Sequence, residues 1–339
     1  MTVVLSGLGA YLPPRVVTNH ELSKTLDTTH EWIVTRTGIS ERRMVSDGLS
    51  TGDLAVEAGL RALNSADVTA VDAVVVATTS PDRLCPAVAP EVAHRLGLGP
   101  VAAFDLTSAC SGFLYGLAAS AGLVASGTAD SVLLIGAEAF TTLVNARDRA
   151  TAPIFGDGAG AVVLRRGRSD EQGALGGFDL GSDGARADLL AIPAGGSRQR
   201  SADDGPGHGT VPTEDWYLRM DGRPLYVQAV ERMTQSAQSA LKKADWSVAD
   251  VDWFVGHQAN VRIVRAVAEE LDVPEERVAV NIERVGNTLS ASIPLLLNDM
   301  AASGDLRAGH RVLLSAFGAG LSWGSTALVW PDLRVESVH

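Results

Sequence analysis

The chain repeats itself at a spacing near 180 residues, and this limits it to folds built from two similar halves. ALNSAD, from Ala62, returns as ALKKAD from Ala240, 178 positions later. VDAVVVATTS from Val71 lines up with VDWFVGHQAN from Val251, and DSVLLIGAEAF from Asp130 with HRVLLSAFGAG from His310, both at an offset of 180. Between them VAAFDLTSAC, from Val101, runs beside VAVNIERVGN, from Val278, which sets Cys110 opposite Gly286-Asn287. Each unit reads helix, buried strand, helix, strand, small-residue turn, apolar helix, strand. The strands are short Val/Leu/Ile runs with little alternation, as a sheet covered on both faces requires. Helices between successive strands imply parallel crossovers. The expected organisation is therefore two α/β halves, residues 1–170 and 171–339, joined through the glycine- and charge-rich stretch from Arg165 to Gly209. Within that stretch ADDGPGHG, from Ala202, reads as a surface excursion.

Composition removes several functional classes. A formal charge of −12 is wrong for a general nucleic-acid binder. Two cysteines without CxxC or clustered histidines do not make a zinc site, and no metal is expected. The opening MTVVLSGLGAYLPP has neither the basic start nor the apolar run of a secretory signal. The apolar stretch after Cys110 is broken by glycines and reads as a core helix rather than a membrane span. A cytoplasmic protein with reduced thiols is the expectation. FGDGAGA, from Phe155, precedes a strand-like VVL and opens no helix, so it is a structural glycine turn and not a dinucleotide fingerprint.

Duplicated α/β halves place sites at their junction, where strand ends and helix starts from both halves meet. Cys110 follows AAFDL and Thr107-Ser108-Ala109 and precedes the apolar helix. That position exposes the sulfur at the top of a sheet, and a helix N-terminus favours its thiolate. By residue type alone Cys110 is equally a buried structural cysteine. His257, in GHQAN, is by itself an ordinary surface or core histidine, and Asn287, in GNTLSASIP, an ordinary turn residue. Cysteine, histidine and asparagine on separate strand ends together form a workable acyl-transfer constellation.

The same residues resemble those of the ketoacyl-acyl-carrier-protein synthase III family of thiolase-fold condensing enzymes. The resemblance is collinear through GLGAYLPPRVVTN, EWIVTRTGISERR, TSACSGF, DRATAPIFGDGAGAVVL, GHQAN, GNTLSASIP and AFGAGLSWGS. It implies a five-layered αβαβα subunit and a homodimer. It also implies that Cys110 takes an acyl group from acyl-CoA, and that a malonyl thioester on an acyl carrier protein then loses CO₂ and attacks that acyl group. His257 and Asn287 would act as neutral donors to the malonyl thioester oxygen. The backbone N–H groups of Cys110 and Ala319 would hold the oxyanion, with Phe317 beside the thioester. Trp32 and Arg149 would flank the adenine of CoA, and Arg36, Asn260 and Arg262 would meet its phosphates or pantetheine arm. Acyl-CoA and the malonyl thioester are substrates, and no further cofactor is implied.

Two features depart from the family pattern. SPDRLCPAVAP matches the segment that crosses the dimer interface and floors the partner's acyl pocket, and Cys85 stands where the acetyl-selective bacterial member has phenylalanine. A smaller side chain there implies longer or branched primers. The family's acidic carrier also needs a local basic patch on so acidic an enzyme. Arg36, Arg42, Arg43, Arg262 and Arg265 are the candidates, but Glu269 and Glu270 stand where lysines are found in the best-known member. The competing activity on this scaffold is acyl transfer to a hydroxyl or amine without condensation. A thiolase would need a second cysteine near the C-terminus, and AFGAGLSWGS has none. An inactive partner subunit would have no use for the three catalytic side chains.

Overall fold

The computed structural model describes residues 2–46, 48–201 and 211–338, so the ADDGPGHG excursion lies outside the described residues. The first sheet contains β1 (Thr2–Tyr11), β2 (Ala73–Ala77), β3 (Ala102–Leu106), β4 (Ser131–Glu138) and β5 (Gly158–Gly167), in the spatial order β1-β5-β4-β2-β3. The second contains β6 (Asp179–Ser182), β7 (Trp253–Gly256), β8 (Arg311–Gly318) and β9 (Ser322–Val329), in the order β7-β8-β9-β6. One sheet lies wholly before residue 170 and the other wholly after it.

The second order repeats the first without an edge strand like β3, whose expected counterpart near Val278 forms only an isolated bridge to Phe254. β2 and β4 are parallel, as are β7 and β8. The outer pairs β4·β5, β5·β1, β8·β9 and β9·β6 are antiparallel. The sheets are therefore mixed, against the expectation of parallel crossovers throughout. The reason is local: between β4 and β5 the chain makes only a short 3₁₀ turn at Phe140–Leu143, too little for a crossover helix.

Helices complete the layers. α1 (His30–Thr37), α2 (Thr51–Ser65), α3 (Ala89–Arg95) and α4 (Gly112–Ala125) belong to the first half. α5 (Gly222–Ala244), α6 (Val261–Glu270) and α7 (Ser292–Ser303) belong to the second. One cluster packs Leu54 and Ala58 of α2 and Val92 of α3 on Val74, Val76, Leu133 and Ile135 of the first sheet. A second joins the opposite faces of both sheets through Leu114 and Leu117 of α4 and Leu296 and Leu297 of α7. A third packs Ala237 and Leu241 of α5 and Val264 and Val267 of α6 on the outer face of the second sheet. The sequence thus reads out as five layers, αβαβα. The all-round apolar character of α4 follows from its place between two sheets, where each fully buried leucine contributes about 1.5–3 kcal/mol.

The pseudo-symmetry also corrects the alignment around the nucleophile. Cys110 sits in a 3₁₀ turn, Ala109–Ser111, preceding α4, and its counterpart is the 3₁₀ turn Leu289–Ala291 preceding α7. Ala109 and Leu289 both have positive φ, +44° and +48°. The partner of Cys110 in the second half is therefore Ser290, not Gly286-Asn287. The gap that the repeat alignment needed lies before the turn.

The glycine turn at Phe155 joins the halves. Phe155 and Asn287 form a parallel bridge, with Gly156 N–H donating to Asn287 O at 3.0 Å and Asn287 N–H to Ile154 O at 2.9 Å. A Cβ on Gly156 would lie 2.2 Å from Val285 O, so this approach requires glycine.

Candidate active site

Burial, more than the helix start, sets the state of the nucleophile. Cys110 is 7% exposed, and its thiol is pushed up to about 12 by desolvation first and then by the nearby Glu138 carboxyl when that group is ionised. Its own backbone N–H and the Asn287 side chain pull the other way without compensating. The resting side chain is a neutral thiol, which reverses the expectation of a thiolate favoured by the helix N-terminus.

The turn carrying Cys110 is fixed from the other half. Ser111 Oγ and Ser322 Oγ are 2.7 Å apart, and Ser108 Oγ lies 3.1 Å from Ser322 Oγ. Gly318, at the end of β8, lies so close that a Cβ would stand 2.8 Å from Cys110 N. Sequence reading passed over Gly318, because only the docking of the two halves puts it there. Ala319 follows it, half-buried, and Phe317 precedes it, buried against the chamber.

His257 leaves the end of β7 with its N–H donating to Ser315 O at 2.8 Å. Its ring is 1% exposed, and burial pulls it down to about 3, so it is neutral. Nδ1 lies 2.6 Å from Ser292 Oγ, while Nε2 is buried without a partner. Asn287 is held by Leu289 N–H, which donates to Oδ1 at 2.9 Å. Its remaining amide group faces the Cys110 thiol. Cys110, His257, Asn287, Phe317 and Gly318 line one chamber of about 150 Å³, walled further by residues such as Phe155, Met220 and Leu225.

The chamber continues outward. Ile154, Gly222, Tyr226 and Asn260 line both it and a larger cavity of about 590 Å³. Trp32, Arg36, Arg149 and Arg262 stand around that outer cavity, joined by Arg223, which the sequence reading missed. The Arg149 and Arg36 guanidinium groups stack on Trp32, 4.6 and 4.8 Å from the ring centre. Asn260 also holds the local fold together, since its Oδ1 caps α6 through Arg262 N–H at 2.9 Å and its Nδ2 donates to Arg36 O at 2.9 Å.

The basic patch is smaller than expected. Arg42 is 0% exposed and donates to Val17 O, Asn19 Oδ1 and Pro153 O at 3.1, 2.8 and 2.7 Å. Burial lowers it to about 10, which still leaves it charged at neutral pH. It is a brace under the Pro153-Ile154 wall of the tunnel, unavailable to any partner. Arg42→Ala strips three buried acceptors of their donor and is expected to cost about 3 kcal/mol, read as a lower urea midpoint. An unchanged midpoint would show that water replaces the guanidinium freely. Arg43 is half-buried against Pro13 O, and Arg265 pairs with Glu275 at 2.8 Å, with Glu269 and Glu270 exposed on the same helix. Cys85 is exposed and does not line its own chain's chamber. No metal-binding group of three or more histidine, cysteine or acidic residues occurs among the described residues, and none of their helices is long and apolar enough to cross a membrane.

A cysteine before a core helix, with a neutral imidazole and a carboxamide from the second half of a duplicated five-layered fold, defines the thiolase-fold condensing enzymes. Comparison with known proteins narrows the class. Residues 104–184 match the family model 3-oxoacyl-[acyl-carrier-protein] synthase III, and residues 241–330 match its C-terminal counterpart. The chain is 56% identical to β-ketoacyl-[acyl-carrier-protein] synthase III 5 of Streptomyces coelicolor, covering 97% of this chain and 98% of that one. It superimposes on the crystal structure of 3-oxoacyl-(acyl carrier protein) synthase III from Pseudomonas aeruginosa with a TM-score of 0.91 at 47% identity, covering 98% and 100% of the two chains. The priming β-ketosynthase of the R1128 polyketide pathway aligns with a TM-score of 0.90 at 36% identity, over 98% and 97%. The chain belongs to the β-ketoacyl-[acyl-carrier-protein] synthase III family, and is an acyltransferase of the condensing type.

Proposed function

We propose that the chain starts acyl chains by two successive reactions at Cys110. The observation that carries this reading is the convergence of the Cys110 thiol, the unpartnered His257 Nε2 and the Asn287 amide on one chamber, reached through an arginine-rimmed tunnel. In the first reaction the Cys110 sulfur attacks the thioester carbonyl of an acyl-CoA. A tetrahedral oxyanion forms against the backbone N–H groups of Cys110 and Ala319, and CoA leaves as its thiol, carrying the proton that Cys110 gave up. The outer cavity suits CoA: Arg36 and Arg262 offer charge to phosphate, and Trp32 and Arg149, stacked on each other at 4.6 Å, have to part to take a base between them.

In the second reaction the malonyl thioester of an acyl carrier protein enters the same tunnel and loses CO₂. Negative charge grows on its thioester oxygen, and neutral N–H donors stabilise it without neutralising a general base. The second reaction requires the tautomer in which Ser292 Oγ, 2.6 Å from His257 Nδ1, donates to that nitrogen and the ring hydrogen stays on Nε2, which has no protein partner among the described residues. Asn287 supplies the second donor. The enolate carbon attacks the Cys110 thioester, and the β-ketoacyl product leaves as the sulfur regains a proton.

The partner subunit completes the acyl pocket in this reading. β3 lies at the edge of the first sheet with Phe104 exposed, and Leu84, beside Cys85, is 76% exposed, as a loop crossing a homodimer interface requires. Cys85 leaves more room than phenylalanine. A panel of acyl-CoA primers with malonyl-carrier protein tests the reading through CO₂ release and β-ketoacyl product. Condensation with longer or branched primers is expected, and Cys85→Phe should move the preference toward acetyl. Acyl exchange without CO₂ release would mark a simple acyltransferase. Unaltered selectivity in Cys85→Phe would detach that residue from the pocket.

A further inference from the structure

Glu138 is a buried carboxyl group with no role in the chemistry above. It ends β4, is 0% exposed, and no lysine, arginine or histidine pairs with it among the described residues. Its partners come from both halves. Ser80 Oγ donates to Oε2 at 2.6 Å, Thr79 N–H reaches both oxygens at 3.1 Å, and Thr78 Oγ1 lies 3.4 Å from Oε2. From the second half, Ser290 Oγ lies 2.9 Å from Oε1.

The single hydroxyl proton of Ser290 bears on the charge of Glu138. Ser290 has one hydroxyl proton, yet its Oγ stands 2.9 Å from Ala77 O and 2.9 Å from Glu138 Oε1. A backbone carbonyl only accepts. When the Ser290 proton goes to Ala77 O, the second contact is a hydrogen bond only if Glu138 holds a proton and donates it. Burying a carboxylate with no cation beside it favours that same neutral acid. Burial pushes the Glu138 carboxyl up to about 7, outweighing the hydrogen bonds from Ser80, Thr79 and Ser290 that favour its ionised form.

The position of Ser290 gives this proton a consequence. Ser290 is the pseudo-symmetric counterpart of Cys110, and its turn follows Asn287 and runs into Ser292, which holds His257. The packing is close: a Cβ at Gly136 would lie 2.4 Å from Ser290 O, and one at Gly112 3.4 Å from Ser290 Cβ. Titratable groups near the carboxyl are few. Cys110 is one, and Asp157, ahead of the neighbouring β5, is turned to Thr141 and Val45 N–H. Asp82, beyond the Thr78–Ser80 turn, is bound to Gly52 N–H.

We propose that Glu138 is a positioning residue that works as a neutral acid. Its proton closes the link to Ser290 that seats the Asn287–Ser292 turn against the Cys110 half, and its lack of charge allows negative charge to gather on the Cys110 sulfur. The inference rests on the acyl-transfer reading of Cys110 for its meaning, but its first test needs no substrate. The rate of Cys110 alkylation by iodoacetamide is followed from pH 6 to 9, located by peptide mass because Cys85 is also free. In the wild-type protein the rise with pH is expected to flatten near neutrality as Glu138 ionises. Glu138→Gln, neutral at every pH, should lose that inflection and react several-fold faster at pH 8. Glu138→Ala, which removes the brace, should lose about tenfold or more in kcat for CO₂ release with little change in KM, and Glu138→Gln should recover most of it. Identical alkylation profiles for wild type and Glu138→Gln would overturn the proposal, even if Glu138→Ala fails to fold. So would an Ala variant that releases CO₂ at the wild-type rate. Loss of condensation with the alkylation shift intact would count against the reaction assigned above, and not against Glu138.

Discussion

Cys110→Ala is expected to accept no acyl group, so incubation with acyl-CoA leaves its intact mass unchanged. Condensation should fall by about 10⁴-fold or more, as when other covalent catalysts lose their nucleophile. The substitution removes one sulfur from a turn held by Ser111, Ser322 and Gly318, none of which depends on it, so the thermal melt should stay close to wild type. Slow CO₂ release from malonyl thioester should persist, because His257 and Asn287 remain. An acyl adduct on the variant would place the nucleophile elsewhere.

His257→Ala and Asn287→Ala should produce the converse split. Each removes one donor from the oxygen that gains charge as CO₂ departs, a loss of about 3–4 kcal/mol or 10²–10³ in rate. Acylation of Cys110 from acyl-CoA should suffer less, since its oxyanion rests on backbone N–H groups. The pH dependence follows from burial. An imidazole pulled down to about 3 loses its proton only as pH rises through that value, so it stays neutral from pH 5 to 8. The decarboxylation profile should therefore show no limb from His257 in that range. A limb near pH 6.5 that vanishes in His257→Ala would show a charged imidazole and defeat the neutral-donor mechanism.

Much of this was legible in the residues because the chain carries its own internal comparison. Two matched segments at 180 residues locate β2 and β4 against β7 and β8, and the end of β7 leads into His257, which lines the chamber with Cys110. What failed needed three dimensions. Arg42 looks like a surface cation in GISERRM, and only the return of Pro153 and Asn19 over it shows that its charge is buried among oxygens. Gly318 and Ser292 carry no signal of their own, since Gly318 meets Cys110 only when the halves dock, and Ser292 meets His257 only when α7 packs beside the end of β7 within the second half. For Cys110 the helix start indicated the right helix but an exposed sulfur and a favoured thiolate; the sulfur is buried, and desolvation outweighs the dipole. The repeat set Cys110 opposite Gly286-Asn287, one small gap away from Ser290, so neither Ser290 nor Glu138 stood out in the sequence.

The protonated, enclosed sulfur has a consequence for durability. Peroxides and stray electrophiles react with exposed thiolate, and a thiol kept near 12 and 7% exposed offers almost none. Under the proposed function, the burial that keeps the thiol protonated also suppresses its oxidation to sulfenic acid between turnovers. Chemical discretion at rest and nucleophilicity on demand are thus two readings of a single desolvated site.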